Sequence, residues 1–270
     1  MSSNGISISD ARIALRGAAH TPMVVRDHYL YRAGLFNVIN DLEAFTGMSR
    51  TEVLHRLYRR DVHSQEIELA FWEPKSTAEI TWFYRHSVTY LFINAIHPAH
   101  VMLGHLGPKD GPVLDLSGGA GNNVLHLAQR GVNCTYTGIG IYEYNFAEFR
   151  ANMRNQRNLI SFVKPFNSRG RFDSLASLEP PRMYNTILAF DVLEHIDHYE
   201  RTVAAMVRAL HPGGSIVEFS PFKRTQNAST DITHVTDGGV SMMEAMGPQM
   251  ALAGGGWCSS GKCRRWQKKL

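Results

Sequence analysis

The sequence predicts an α/β protein in which a doubly wound, mostly parallel sheet follows a helical N-terminal region. Three observations predict it. From Gly111 onward, short apolar runs of β-forming residues alternate with amphipathic helical stretches. The first of those runs ends in an acid and a cluster of glycines that opens a helix. Before Gly111 the periodicity is helical instead, and it carries its own start and stop signals.

Residues 25–106 read as helical. Ser49 with Glu52 three residues on forms a capping box, followed by Val53, Leu54, Leu57 and Tyr58 at helical spacing. A second box, Ser76 with Glu79 after Pro74, opens a long helix to about Ile96, where His97-Pro98 stops it. That helix carries Trp82, Phe83, Tyr84, Tyr90 and Phe92. Such a stripe packs a core in the first instance, and in the second covers a ligand pocket.

The α/β part then follows in order. Pro112–Leu116 is a short strand, and Asn122–Arg130 is a helix closed by Gly131 at its C′ position. Val132–Ile139 is a strand, Tyr144–Asn155 a helix and Leu159–Val163 a strand. Tyr184–Phe190 is an apolar strand, His198–Leu210 an amphipathic helix, and His211-Pro212-Gly213-Gly214 a sharp turn before a strand at Ser215–Ser220. Residues 221–237 read as a loop and Ser241–Met246 as a helix. Two last strands, Met250–Ala253 and Cys263–Trp266, pair as a hairpin. Seven strands result, and a parallel sheet of this kind binds ligands at its carboxyl ends.

The glycine turn is Val113-Leu114-Asp115-Leu116-Ser117-Gly118-Gly119-Ala120-Gly121-Asn122. Glycine is needed where the backbone bends sharply and lies against a ligand. A dinucleotide is disfavoured: in the G-x-G-x-x-G frame starting at Gly119 the third position is Val124, and no acid follows about 20 residues on. A P-loop fails because no Gly-Lys-Ser/Thr follows.

Three segments in the right order, VLDLSGGAG (113–121), AFDVLEHI (189–196) and LHPGGSI (210–216), resemble the class I S-adenosylmethionine (SAM)-dependent methyltransferases. YNFAEFRANMRN resembles the second helix of small-molecule members. The resemblance implies a Rossmann-like seven-stranded sheet with a C-terminal antiparallel hairpin. Residues 107–270 would form the SAM-binding core and 1–106 a helical cap or lid. It also implies that Ser117, Gly118, Gly119 and Gly121 shape the loop under the methionine part of SAM, with Asp115 orienting that loop or meeting the amino group. Ile139, Phe190 and Asp191 would border the cofactor, the last two also facing the acceptor. S-adenosyl-L-homocysteine would be the second product.

The sequence departs from the family's pattern at two places. Ser117 stands where the family has its first glycine. At the end of the second strand, TYTGIGIYEYN, both positions for the acid that grips the ribose hydroxyls are glycine, Gly138 and Gly140. Glu143 could reach back, or backbone and water could serve instead. A lost charge-assisted contact costs about 1.5–3 kcal/mol. The adenine contact falls on Phe166-Asn167 or Phe172-Asp173. Asn185 replaces the acid often found before the fourth strand.

Methyl transfer from a sulfonium needs alignment and exclusion of water, and a base only where the nucleophile must lose a proton. His195, just past the fourth strand, is the candidate base, since an unperturbed histidine titrates near neutrality; helix capping is the plainer role for it. Glu194 is expected to point elsewhere. His234, in the loop after the fifth strand, ranks second. Thirteen histidines form no familiar ligand set in His97/His100/His105 or His195/His198, so no metal is expected.

Composition narrows the partners. Bases exceed acids by 28 to 24, but five bases lie in the last nine residues; without those five, 23 bases face 24 acids. The body is neutral. The leading reading is therefore transfer of a methyl group to a small molecule in specialised metabolism. The other readings are a nucleic-acid methyltransferase using the basic tail, and a non-catalytic relative suggested by Ser117 and the missing ribose acid. Three cysteines (Cys134, Cys258, Cys263) read as isolated thiols, and no apolar run approaches the ~20 residues of a membrane span. The Ser/Ala/Arg-rich N-terminus reads as a flexible leader, and the expected location is cytoplasmic, with no nucleic-acid or membrane partner.

Overall fold

The structure, a computed structural model, describes residues 35–57, 88–95, 103, 106–164, 183–196, 199–220, 242–255 and 263–270 of the chain. The strands are β1 (Val113–Asp115), β2 (Cys134–Thr137), β3 (Ile160–Val163), β4 (Tyr184–Phe190), β5 (Leu210–Phe219), β6 (Met250–Gly255) and β7 (Arg264–Lys268). The described helices are α1 (Leu35–Thr46), α2 (50–57), α3 (Val88–Ala95), α4 (Asn122–Gln129), α5 (Ile141–Met153), α6 (Tyr199–Arg208) and α7 (Met242–Met246).

The seven strands form one sheet in the order β3-β2-β1-β4-β5-β7-β6. Strands β1 to β5 run parallel, and β7 is antiparallel to both β5 and β6. The order reverses at β1, with β2 on one side and β4 on the other. That is the switch point at which the ends of neighbouring crossovers diverge and leave a crevice.

Both faces of the sheet are covered. Leu114, Ile187, Ala189 and Ile216 pack beneath α6 and α7 (Val203, Met206, Met242, Met246). Val113, Tyr136, Leu188 and Val217 pack beneath α4 and α5 (Val124, Leu127, Ala147, Ala151). A third cluster joins the N-terminal helices to this frame: Val38, Ile39, Leu42, Val53, Leu91, Phe92 and Ala95 enclose Ala120 of the glycine turn and Phe146 of α5. Phe92 is thus core, as the plainer reading of the aromatic stripe expects.

The capping box forms, with Ser49 N–H donating to Glu52 Oε2 at 2.8 Å. Gly131 closes α4 at φ 77°. Helix α5 begins three residues before its expected start, because Gly140 caps it and Tyr144 N–H already bonds the Gly140 carbonyl at 2.9 Å. The His-Pro-Gly-Gly turn lies inside β5: Tyr184 pairs with Leu210 and Thr186 with Ser215, so residues 211–214 bulge opposite Asn185.

One thiol expectation is corrected. Cys134 is free and buried, but Cys263 is disulfide-bonded, and its partner lies outside the described residues. The second capping box, the side chains of Trp82, Phe83, Tyr84 and Tyr90, the two adenine-contact candidates and the loop carrying His234 also lie outside them, as do His97, His100, His105 and His198. Among the described residues no helix is long and apolar enough to cross a membrane.

Candidate active site

The glycine turn follows β1 as the sequence predicts, and its hydrogen bonds account for its shape. Ser117 N–H donates to Thr137 Oγ1 at 3.0 Å and Gly118 N–H to the Thr137 carbonyl at 2.8 Å, tying the turn to the end of β2. Gly121 N–H closes back on the Gly118 carbonyl at 2.9 Å. Gly119 (φ 52°) and Gly121 (φ 78°) adopt left-handed backbone, and Ser117 does the same at φ 58°. A Cβ on Gly121 would sit 2.7 Å from Ala147 Cβ, so this glycine is also where α5 packs onto the turn.

Asp115 lies beneath the turn, 1% exposed. Its Oδ1 accepts from Asn123 Nδ2 at 3.3 Å, whereas Oδ2 has no partner among the described residues. A Cβ on Gly118 would lie 2.4 Å from that Oδ2. Glycine at 118 therefore makes room for the carboxylate beneath the turn. Burial, offset only in part by Asn123, pushes the Asp115 carboxyl up to about 7.

A second buried acid stands across the crevice. Glu143, in the first turn of α5 and 4% exposed, accepts from Asn94 Nδ2 of α3 at 3.2 Å through Oε1. Its Oε2 has no partner among the described residues, and burial raises its pKa to about 7. Between the two acids stands Tyr136, fully buried, whose hydroxyl donates to the Gly119 carbonyl at 2.5 Å. Ile139, two residues past the end of β2, is partly exposed.

The far side of the crevice comes from the end of β4. Phe190 is partly exposed, and Asp191 N–H extends the pairing to the Phe219 carbonyl at 2.8 Å before its own φ of 50° turns the chain. A 3₁₀ turn, Leu193–His195, follows. The His195 ring is 25% exposed, with Nε2 3.9 Å from Glu194 Oε1, beyond a hydrogen bond. Glu194 is fully buried with both oxygens unpartnered among the described residues. Burial first, then the charges of Asp191 and Glu218, push its carboxyl up to about 9, so it is neutral at pH 7. Glu194 points inward, as expected.

The N-terminal helices meet the turn directly. A Cβ on Gly119 would lie 3.3 Å from Asn94 Cβ, and Asn122 Nδ2 donates to the carbonyls of Asn94 (3.3 Å) and Ala95 (3.2 Å). Arg150 of α5 locks the arrangement. It donates to the Ala120 carbonyl (3.0 Å), Asn122 Oδ1 (2.6 Å) and Asp41 Oδ2 of α1 (2.9 Å). Arg154 joins the same Asp41 oxygen at 2.5 Å. Sequence reading missed Asn94, Asn123, Thr137 and this Asp41–Arg150–Arg154 group. Thr137, at the end of a strand paired in register with β1, is the one that spacing alone could have found.

The arrangement can hold a ligand that brings positive charge and hydroxyl donors to two unpartnered carboxylate oxygens across a glycine-lined turn. Among the described residues no group of three His, Cys, Asp or Glu side chains is placed to hold a metal ion.

Among solved structures, the chain is similar to the StiE O-MT (14% identity, covering 63% of this chain and 72% of that one, TM-score 0.48). It is similar to NodS, an N-methyltransferase from Bradyrhizobium japonicum solved with S-adenosyl-L-homocysteine (16%, 58% and 78%, TM-score 0.43). It is also similar to an O-methyltransferase from a trans-AT PKS multienzyme of Brevibacillus brevis, solved with the same ligand (14%, 52% and 46%, TM-score 0.41). With TM-scores below 0.5, these likenesses leave the assignment to the sequence family and to the sheet order. The family described as "Methyltransferase domain" matches residues 84–243, more than half of the chain and all of the crevice described above, and the chain belongs to that family, with the class I architecture its three motifs predict.

Proposed function

We propose that the chain transfers a methyl group from S-adenosylmethionine to a small-molecule acceptor. The observation that carries this reading is the pair of buried carboxylates, Asp115 and Glu143, each with one oxygen unpartnered among the described residues and each packed against a glycine where a Cβ would collide with it. A buried acid with spare acceptor capacity is costly unless something fills it. SAM offers an ammonium group, a sulfonium and two ribose hydroxyls, so the residues present fit it.

When bound, SAM supplies a methyl group on a sulfonium that an acceptor can displace in line. The chain's part is positioning. Gly118, Gly119 and Gly121 let the backbone approach without Cβ atoms, and Ser117 adds a hydroxyl at the start of the turn. Asp115 receives the ammonium group through Oδ2, directly or through water. Ile139 and Phe190 flank the cofactor, and Phe190 with Asp191 faces the acceptor. His195, partly exposed beside a neutral Glu194, takes the acceptor's proton on a ring nitrogen. Residues 1–106 act as the cap, excluding water and selecting the acceptor, because Asn94 and Ala95 already rest on the turn.

The small-acceptor reading gains support from the basic tail, three of whose five bases bond within the fold. Arg264 donates to Glu218, Arg265 to Ser215 Oγ at 3.1 Å, and Lys268 Nζ to the Val207 and Leu210 carbonyls at 2.8 Å. The test is transfer of tritium from methyl-labelled SAM to a panel of small hydroxy, amino and thiol compounds, beside RNA and DNA. Label in small molecules is expected. Label in nucleic acid alone, or no heat on titrating S-adenosylhomocysteine, would overturn the reading. His195→Ala should lower kcat about 10²–10⁴-fold with S-adenosylhomocysteine affinity retained. An unchanged kcat would remove His195 as the base.

A further inference from the structure

The second strand ends in glycine where the family resemblance implies an acid, yet the space for that acid is filled. A Cβ built on Gly140 would lie 1.8 Å from Glu143 Oε2 and 2.4 Å from Glu143 Cδ, and its three nearest atoms all belong to the Glu143 carboxylate. The backbone does not require glycine there: Gly140 has φ −71° and ψ 127°, ordinary for any residue. Glycine at 140 makes room. The carboxylate that would otherwise grow from the strand end comes instead from one turn into α5 and folds back over the helix's N-cap.

Gly138 is closed to a side chain in the same way, since its Cβ would lie 2.2 Å from the Tyr136 hydroxyl. Neither glycine position can therefore supply an acid while Tyr136 and Glu143 stand as they do. Glu143 is the carboxylate left at this end of β2. Among the described residues its one side-chain partner is Asn94, whose Nδ2 donates to Oε1 at 3.2 Å, and Oε2 has no partner. The Asn94 backbone is fixed in turn by Asn122, at the start of α4.

We infer that Glu143 receives the ribose hydroxyls of the cofactor in place of a strand-end acid, with Asn94 of the N-terminal helix α3 as the residue that positions its carboxylate. This rests on the proposal that SAM is the cofactor. It also makes α3 part of the cofactor site, so a change in the cap alters cofactor affinity as well as acceptor choice.

The test is calorimetric titration of the full chain with S-adenosylhomocysteine and with its 2′,3′-dideoxyribose analogue. The wild-type chain should prefer the hydroxylated ligand. Glu143→Gln, which keeps the shape, should weaken S-adenosylhomocysteine binding about 10- to 100-fold and bind both ligands alike. The double variant Gly140→Asp with Glu143→Ala should recover the preference, because the atoms that crowd residue 140 are gone. Asn94→Ala should narrow the preference while leaving the analogue's affinity unchanged; equal weakening of both ligands would overturn the positioning role. Glu143 loses its assignment if Glu143→Gln weakens both ligands by one factor or keeps the wild-type preference. A wild-type chain that binds S-adenosylhomocysteine without regard to its hydroxyls overturns this inference and leaves the proposed cofactor standing. A wild-type chain that binds neither ligand overturns both.

Discussion

The two ends of the sheet both bury carboxylates and treat them in opposite ways. At the C-terminal end, Glu218 of β5 is fully buried, and its Oε1 accepts from Arg264 Nε at 2.5 Å and Trp266 Nε1 at 3.2 Å, both on the adjacent β7. At the β1–β2 end, Asp115 and Glu143 have one asparagine amide each and no cation among their partners. An ionised carboxylate out of water needs a cation or several donors. Glu218 has that compensation from within the chain, while Asp115 and Glu143 are pushed up to about 7 for want of it. On the proposed function the difference separates structure from site. Glu218, tied to β7 through one oxygen, holds strands together. Asp115 and Glu143 each keep one oxygen, unpartnered among the described residues, for the ligand, and Glu194, neutral at pH 7, serves neither. It also explains the basic tail, which supplies the sheet's own partners.

The contrast breaks most sharply at another buried acid. Asp41 is compensated by two arginines, and Arg150 is itself buried, with a 6% exposed side chain. Burial lowers the Arg150 pKa to about 10, so it is still charged at neutral pH. Asp41→Ala strands that charge and should cost about 3–5 kcal/mol in urea unfolding. Because Arg150 also holds Ala120 and Asn122, S-adenosylhomocysteine affinity should fall with it. A loss under about 1 kcal/mol would mean that Asp41 is no structural anchor.

An uncompensated acid should behave in reverse. Asp115→Asn should leave ligand-free stability unchanged or higher while weakening S-adenosylhomocysteine about 10- to 100-fold. A large stability loss would place Asp115 with Glu218 instead. The pH dependence sharpens the point. Asp115 and Glu143, which both face Tyr136, titrate near 7 without ligand, and a cationic, hydroxyl-bearing ligand favours their ionised forms. Affinity should therefore fall as pH drops from 8 to 6, by about tenfold in total for each linked proton. Stability runs the other way. Carboxyls whose folded pKa lies above the unfolded value hold more protons in the folded chain. Their contribution is full below the model-peptide values of 3.8 and 4.5 and is lost as pH rises through about 7; Glu194 extends the loss toward 9. The ligand-free chain should melt higher at pH 5 than at pH 8, and Glu143→Gln and Asp115→Asn should each flatten that slope.

What the sequence made legible was local. An acid followed by glycines, a capping box and a Gly at a helix end each report conformation within a few residues, and all three formed. Position 140 was readable as a missing acid, and Glu143, within one helical turn of it, as one candidate substitute beside backbone and water. The Asp41–Arg150 pair spans 109 positions and Asn94–Glu143 spans 49. Nothing in local spacing marks either, since the partners meet only once α1 and α3 pack on α5. The bulge at residues 211–214 was legible as a turn but not as part of a strand, because β5 resumes on the same neighbour after it. The basic tail gave a charge count without its partners: Lys268 bonds one carbonyl in the last turn of α6 and one at the start of β5, a role that depends on β7 being inserted beside β5.

The smallest expected effect tests the turn itself. Ser117 holds left-handed backbone at φ 58°, which costs a residue with a Cβ about 1–2 kcal/mol. Glycine would remove that strain and add about 0.5–1 kcal/mol of unfolded-state entropy, so Ser117→Gly should stabilise the chain by roughly 0.5–1 kcal/mol. Urea unfolding should show a higher midpoint at an unchanged slope. Ser117 N–H bonds Thr137 Oγ1, and glycine keeps that donor, so the turn should retain its shape. Affinity then decides what the hydroxyl is for. If S-adenosylhomocysteine binds Ser117→Gly as tightly as it binds the wild-type chain, the serine is a tolerated strain. If binding weakens while stability rises, the strain holds a ligand contact, and Ser117 stands with Asp115 and Glu143 rather than with the compensated acids at the other end of the sheet.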